Sequence, residues 1–184
     1  MSEPGKWTER HRRQVYESEW LNVWLDDVEL PDGRVIEHHA LRMPRASVTV
    51  VALNDRREAL LIWRHRFITD TWGWEVPAGW IDPGESAAEA ASREAEEETG
   101  FRVGELRELA SYYAMPGLAD HHFTVFAAEG AEDLGRDLDP TETAKVEWVP
   151  LGAYGRLLHE GTLTDGPSIT ALGLALALTS SPSG

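Results

Sequence analysis

At 184 residues and 42% hydrophobic, the chain is long enough for one well-packed core and short for two independent domains. The absence of cysteine excludes a disulfide framework and thiolate metal ligands, and fits a reducing, cytoplasmic setting. A formal net charge of −15 excludes general nucleic-acid binding, and the longest apolar run, Ala171 to Leu178, is too short to span a bilayer. We expect a soluble protein without a membrane anchor. Any anionic substrate must be recruited locally, and divalent cations held in an acidic pocket would do so.

Residues 1–13 read as a flexible tail. From Val15 to Val51 short apolar runs are broken by turns, and Leu30-Pro31-Asp32-Gly33-Arg34 predicts a hairpin between two strands. Ser47–Leu53 and Ala59–Trp63 predict two strands of a central sheet, joined by the polar turn Asn54-Asp55-Arg56-Arg57. Pro77, Gly79, Pro83 and Gly84 make Glu75–Glu85 a shaped loop. A helix follows: Ser86 and Glu89 stand in the S-x-x-E relation of a capping box, Ala is frequent up to Ala95, and Gly100 is placed to end it. Further strands are predicted at Glu108–Tyr113, His122–Ala127 and Lys145–Val149, with helices over Leu151–His159 and Ser168–Leu178. Residues 179–184 read as a disordered polar tail. The expected fold is mixed α and β: one domain over 14–178, opening with an antiparallel β region over 14–45.

Glu94, Glu97 and Glu98 are spaced i, i+3, i+4, which puts three carboxylates on one helix face, about 5–6 Å apart at Cβ. A solvated acidic face is one reading, since each like-charge pair costs only a few tenths of a kcal/mol. The other is a site for a hard cation such as Mg²⁺, which takes oxygen ligands from carboxylates and from loop carbonyls.

Gly79, Glu85, Arg93-Glu94-Ala95, Glu97-Glu98 and Gly100-Phe101 match the whole pattern G-x5-E-x7-R-E-U-x-E-E-x-G-U, where U is usually a bulky aliphatic residue. This resembles the Nudix box, and on it the chain is identified as a member of the Nudix hydrolase superfamily. The resemblance implies an α/β/α sandwich with a mixed central sheet. It also implies Mg²⁺, with Mn²⁺ as the alternative, held by Glu94 and Glu98, additionally by Glu97, and by the carbonyl of Ala78 or Gly79. Glu85 and Arg93 would support the helix. Ala95 is small where the pattern is aliphatic, which predicts looser packing under the helix.

The flanking sequence is similar to the ADP-ribose pyrophosphatase branch. Trp74-Glu75-Val76-Pro77-Ala78-Gly79 resembles its L-E-x-P-A-G entry to the box, Met115-Pro116-Gly117-Leu118-Ala119-Asp120 its S-P-G-x-S-D loop, and Asp139-Pro140-Thr141-Glu142 its acidic loop. By position, the resemblance implies that Glu142 serves with Glu97 and Glu98 in catalysis, as base or extra metal ligand. An ordinary surface role for Glu142 is the competing reading, with Glu132, Asp137 and Asp139 nearby. Arg66, Trp72, Glu75, Met115 and Gly117 would contact substrate. Trp72, Trp74 and Trp80 either stack on a base or sugar or pack the core. Trp20 and Trp24 fall in the region through which this branch forms homodimers.

Two departures bear on substrate: His121 stands at an often acidic position, and Trp63-Arg64-His65-Arg66 replaces a V-x-Q-x-R stretch while keeping Arg66. The expected activity is Mg²⁺-dependent hydrolysis of ADP-ribose or a related nucleoside diphosphate sugar to a nucleoside monophosphate and a sugar phosphate. The alternatives are the same chemistry on GDP-mannose, a dinucleoside polyphosphate or an oxidised nucleotide, and a regulatory module that binds a nucleotide sugar without cleaving it.

Overall fold

The computed structural model describes residues 5–139, 141 and 143–179, in two compact units: residues up to 46 with 113–122, and 47–112 with the residues from 123 on. In the first, β1 (Thr8–Glu17), β2 (Asn22–Glu29) and β3 (Val35–Arg42) form an antiparallel sheet in that order. The predicted hairpin joins β2 to β3, with the Leu30 N–H donating to the Arg34 carbonyl at 2.8 Å. β1 begins at Thr8, inside the stretch read as a tail. It is exposed along its whole length, so no hydrophobic pattern marks it, and it pairs with β2 through its backbone. The segment 113–122 lies along β3, where Leu41 N–H donates to Leu118 and Asp120 N–H donates back to Leu41.

The second unit is built on a mixed sheet in the order β12-β5-β4-β10-β9: Lys145–Pro150, Glu58–Arg66, Ser47–Leu53, His122–Glu129 and Leu106–Tyr113. β4 and β10 run parallel from Ser47↔Phe123 to Leu53↔Glu129, while β12 and β5 are antiparallel. β4 and β5 pair at Leu53↔Ala59 and then part. The gap between them takes β6 (Thr71–Glu75) on β5 and β7 (Ala78–Trp80) on β4, and Val50 N–H donates to the Pro77 carbonyl at 2.9 Å. The loop predicted over 75–85 is thereby held inside the sheet, with a short strand of its own.

Every residue of β4 is buried, and its side chains alternate between two cores. Val48 and Val50 pack with Phe126 against Ala90, Ala91 and Ala95 of α1 (Ala87–Thr99). Val51 and Leu53 pack with Leu61 and Val125 against Ala171, Leu172 and Ala175 of α3 (Gly166–Thr179). A sheet between two helices is the α/β/α sandwich the pattern implied. Ala95 is fully buried, and with Ala90 and Ala91 it gives α1 a flat, small-residue face.

Four short strands escaped the sequence reading: β6 and β7, and the pair β8 (Phe101–Val103) and β11 (Ala131–Asp133), which form a separate two-stranded sheet. β7, β8 and β11 have three residues each, too few for a period to register. The helix read over Leu151–His159 opens with a 3-10 turn at Leu151–Ala153 before α2 (Tyr154–His159). α3 starts two residues earlier than read, because the Asp165 carboxylate accepts from the Ser168 N–H at 2.8 Å and fixes the first turn.

Both ends of α1 are closed as its sequence dictates. The Ser86 hydroxyl accepts from Glu89 N–H at 3.2 Å, and the Glu89 carboxylate accepts from Ser86 N–H at 2.8 Å. Gly100, at φ 74°, takes the left-handed conformation and donates to the Glu96 carbonyl. Ser86→Ala is expected to lower stability by about 1 kcal/mol. Urea denaturation would show a lower midpoint at unchanged slope; an unchanged midpoint would mean that packing alone sets the start of α1.

Candidate active site

α1 carries Glu94, Glu97 and Glu98 toward the loop between β6 and β7. Glu98 is buried, with 7% of its side chain exposed, and both of its carboxylate oxygens are engaged. Oε2 accepts from the Ala78 N–H at 2.9 Å, and Oε1 accepts from Arg64 Nη1 at 2.5 Å. Its backbone carbonyl accepts from the Thr143 hydroxyl, which ties the end of α1 to the segment before β12. Glu94 lies against Gly79: a methyl group at residue 79 would overlap the Glu94 carboxylate. Burial pushes both the Glu94 and Glu98 carboxyls above the usual carboxylate range, against the opposing pull of Arg93 and Arg64.

Arg93 organises the outer half of the cluster. Its Nε and Nη2 donate to the two oxygens of Glu85 at 2.9 and 3.0 Å, and Nη2 also donates to the Trp80 carbonyl. Its Nη1 bridges Glu94 (2.7 Å) and Glu97 (3.0 Å). The forked bond to Glu85 holds the Glu85 carboxyl below its ordinary range and raises the Arg93 guanidinium further. Glu85 and Arg93 thus have the supporting geometry expected of them. Glu97 is the most exposed of the three clustered glutamates.

β5 sorts its side chains by face. Arg64 and Arg66 point to the α1 side, and Arg66 forms a forked pair with Glu75, Nε to Oε1 at 2.9 Å and Nη2 to Oε2 at 2.5 Å. Glu75 is buried, whereas half of Arg66 is exposed. Trp63 and His65 point the other way, with their cross-strand partners Trp74 and Trp72. Trp63 stacks on Trp72 at 6.3 Å between centroids and meets Trp74 at 5.1 Å, and Lys145 Nζ caps Trp74. The structure therefore brings Arg66 and Glu75 to the carboxylate side and leaves Trp72 on the opposite face of the hairpin. Met115 and Gly117 lie in the first unit, where Met115 is exposed and the Gly117 carbonyl meets His38 Nε2 at 3.2 Å. Glu142 lies outside the described residues.

Arg64 is the residue the sequence reading missed. Its signal was the period of two: an arginine two positions from Arg66 on a strand shares its face.

The donors suit a hard divalent cation. Glu75, Glu85, Glu94, Glu97 and Glu98 face Arg64, Arg66 and Arg93, which leaves five carboxylates against three guanidiniums, a formal surplus of two negative charges. Among the described residues no three acidic or histidine side chains already converge as a metal cage, since Glu94 and Glu98 are held by arginines instead.

The NUDIX domain family matches residues 43–172, which contain this whole cluster. The chain belongs to the Nudix hydrolases. Residues 7–40 match a second family, the nucleoside diphosphate sugar hydrolase N-terminal domain. A CMP-5'-(N-acetyl-N-hydroxy-3-aminopropyl)phosphonate hydrolase of Streptomyces rubellomurinus is 42% identical over 94% of this chain and 82% of its own length. An ADP-ribose pyrophosphatase of Bacillus subtilis is 30% identical over 88% of each chain. A crystal structure of an ADP compounds hydrolase superposes with a TM-score of 0.84 at 24% identity, covering 98% of this chain and 99% of the other, which establishes the shared fold. Nudix hydrolases generally use divalent metal ions.

Because Gly79 leaves room for nothing larger beside Glu94, Gly79→Ala is expected to displace that carboxylate while the sandwich stays folded. Divalent-cation affinity, measured by calorimetry, should fall by about tenfold or more, the usual effect of disturbing the support of a metal ligand. Wild-type affinity in the folded variant would show that Glu94 does not hold the cation.

Proposed function

We propose that this Nudix hydrolase cleaves the phosphoanhydride of ADP-ribose or a related nucleoside diphosphate sugar, releasing a nucleoside monophosphate and a sugar phosphate. The observation that carries the reading is the burial of Glu94 and Glu98 against the Ala78-Gly79 backbone, at an electrostatic cost that a bound divalent cation would offset. Glu94, Glu97, Glu98 and the Ala78 carbonyl would hold Mg²⁺ or Mn²⁺. When bound, such an ion neutralises charge developing on the pyrophosphate and lowers the pKa of an attacking water.

The chain's own residues orient the rest. Arg93 keeps Glu94 and Glu97 together, and Glu75 fixes Arg66 through two bonds so that its exposed half meets a substrate phosphate or ribose. Glu142 would position or deprotonate water. Trp72, on the far face of the hairpin, we assign to packing with Trp63 and His65. The exposed Trp7, Tyr16 and Trp20 support homodimerisation through the N-terminal sheet.

The 42% identity to the CMP-phosphonate hydrolase favours a second reading, in which the group linked to the nucleoside monophosphate is a phosphonate. The two readings share the bond-breaking machinery and differ in the group beyond it.

Phosphate-coupled hydrolysis of ADP-ribose, other nucleotide sugars and a CMP-linked phosphonate separates them. EDTA should abolish activity, and Glu98→Gln should lower turnover by orders of magnitude with the fold intact. Wild-type rates from well-folded Glu98→Gln protein would sink the mechanism. A preference for the phosphonate would keep the mechanism and replace the substrate, and cleavage of none of the panel would overturn the assignment.

A further inference from the structure

Arg64 reaches Glu98 from β5, across the sheet-to-helix contact, and the pair is almost removed from solvent: 11% of the arginine side chain and 7% of the glutamate side chain are exposed. Nη1 lies 2.5 Å from Oε1, while the other carboxylate oxygen is taken by the Ala78 N–H. The guanidinium is therefore seated on one of the two oxygens through which Glu98 could meet a cation, and the other already accepts a backbone N–H. Water screens neither charge well, so a divalent ion bound through Glu98 meets the full repulsion of the arginine unless the ion pair opens.

We infer that Arg64 is a resident countercharge for Glu98, which holds the carboxylate in place when no cation is bound and which the cation must displace to bind. It is a positioning residue and not a catalytic one. Two consequences oppose each other. Losing the arginine destabilises the cation-free protein, because removing one partner of a buried pair leaves an uncompensated charge. The pair also lowers cation affinity, because binding has to break it. The inference rests on reading Glu98 as a cation ligand.

The test measures Mn²⁺ binding by calorimetry at fixed pH in the full chain, for wild type, Arg64→Gln, Arg64→Lys and Glu98→Gln, with the melting temperature of each cation-free protein. Arg64→Gln keeps one N–H donor and loses the charge. It should bind Mn²⁺ about tenfold or more tightly while melting lower without the ion. Arg64→Lys retains the charge and should stay within about twofold of wild type. Equal or weaker binding in Arg64→Gln overturns the competition. Unaltered binding in Glu98→Gln overturns the ligand assignment beneath it, and that failure is distinguishable from the first. Should Arg64→Gln fail to fold, side-chain NMR of the wild type decides: the Arg64 guanidinium protons should be protected from exchange in the cation-free protein and lose that protection on saturation with Mg²⁺. Protection that persists at saturation overturns the proposal.

Discussion

The structure depends on burying carboxylates without leaving them unpaired. A desolvated carboxylate is tolerated only when donors meet it, and α1 carries two such groups into the space beneath the β6–β7 loop. Glu98 is met by one backbone N–H and one guanidinium, Glu94 by Arg93. Those partners come from three separate elements: β5, the start of β7, and the helix itself. Many other features follow from bringing them together. β4 and β5 part so that the loop sits within the sheet, alanines let α1 lie close on β4, and Gly79 leaves room for a carboxylate where any side chain would collide with it.

Charge within the cluster is balanced more finely than the net charge of −15 suggests. Among the described residues each arginine facing the cluster is committed to a named carboxylate, and five carboxylates meet three guanidiniums. The surface of an acidic protein repels polyanions in general, so any attraction for an anion has to be local, at a point where positive charge is gathered.

The box and its helix were legible because both are local. Capping residues, an i, i+3, i+4 set of glutamates and a terminating glycine are fixed by spacing alone, and the structure places Ser86, Gly100 and Arg93 as that spacing requires. The sandwich was legible through the resemblance of the box to its family, and two strands of its sheet through the apolar runs 47–53 and 59–63. Other features were less visible because their cause is not local. β1 has no apolar face to betray it, and β8 and β11 exist only as each other's partners. Arg64 read as one basic residue in a basic stretch, since nothing in its neighbourhood names a glutamate 34 positions away. Trp72 shows how alternation separates neighbours in sequence. Proximity in sequence to the box suggested a role at its mouth, while strand alternation turned the ring to the other face.

β5 links these two faces. Its α1-side residues carry the charges that meet Glu98 and Glu75, and its α3-side residues, Leu61 and Trp63, join the packing with Trp74. Because successive side chains alternate, a slip of one residue would exchange arginine for tryptophan at the carboxylates. The register is pinned on both edges: β12 pairs Lys145 with Trp63 and Val146 with Ile62, β6 pairs Trp74 with Trp63 and Glu75 with Ile62, and Ala144 N–H donates to the Trp63 carbonyl. The aromatic packing of Trp63, Trp72 and Trp74 is thus part of the charge arrangement, even though none of these rings faces it. It fixes the strand that sets where Arg64 stands, and through Arg64 the orientation of the most deeply buried carboxylate of the box.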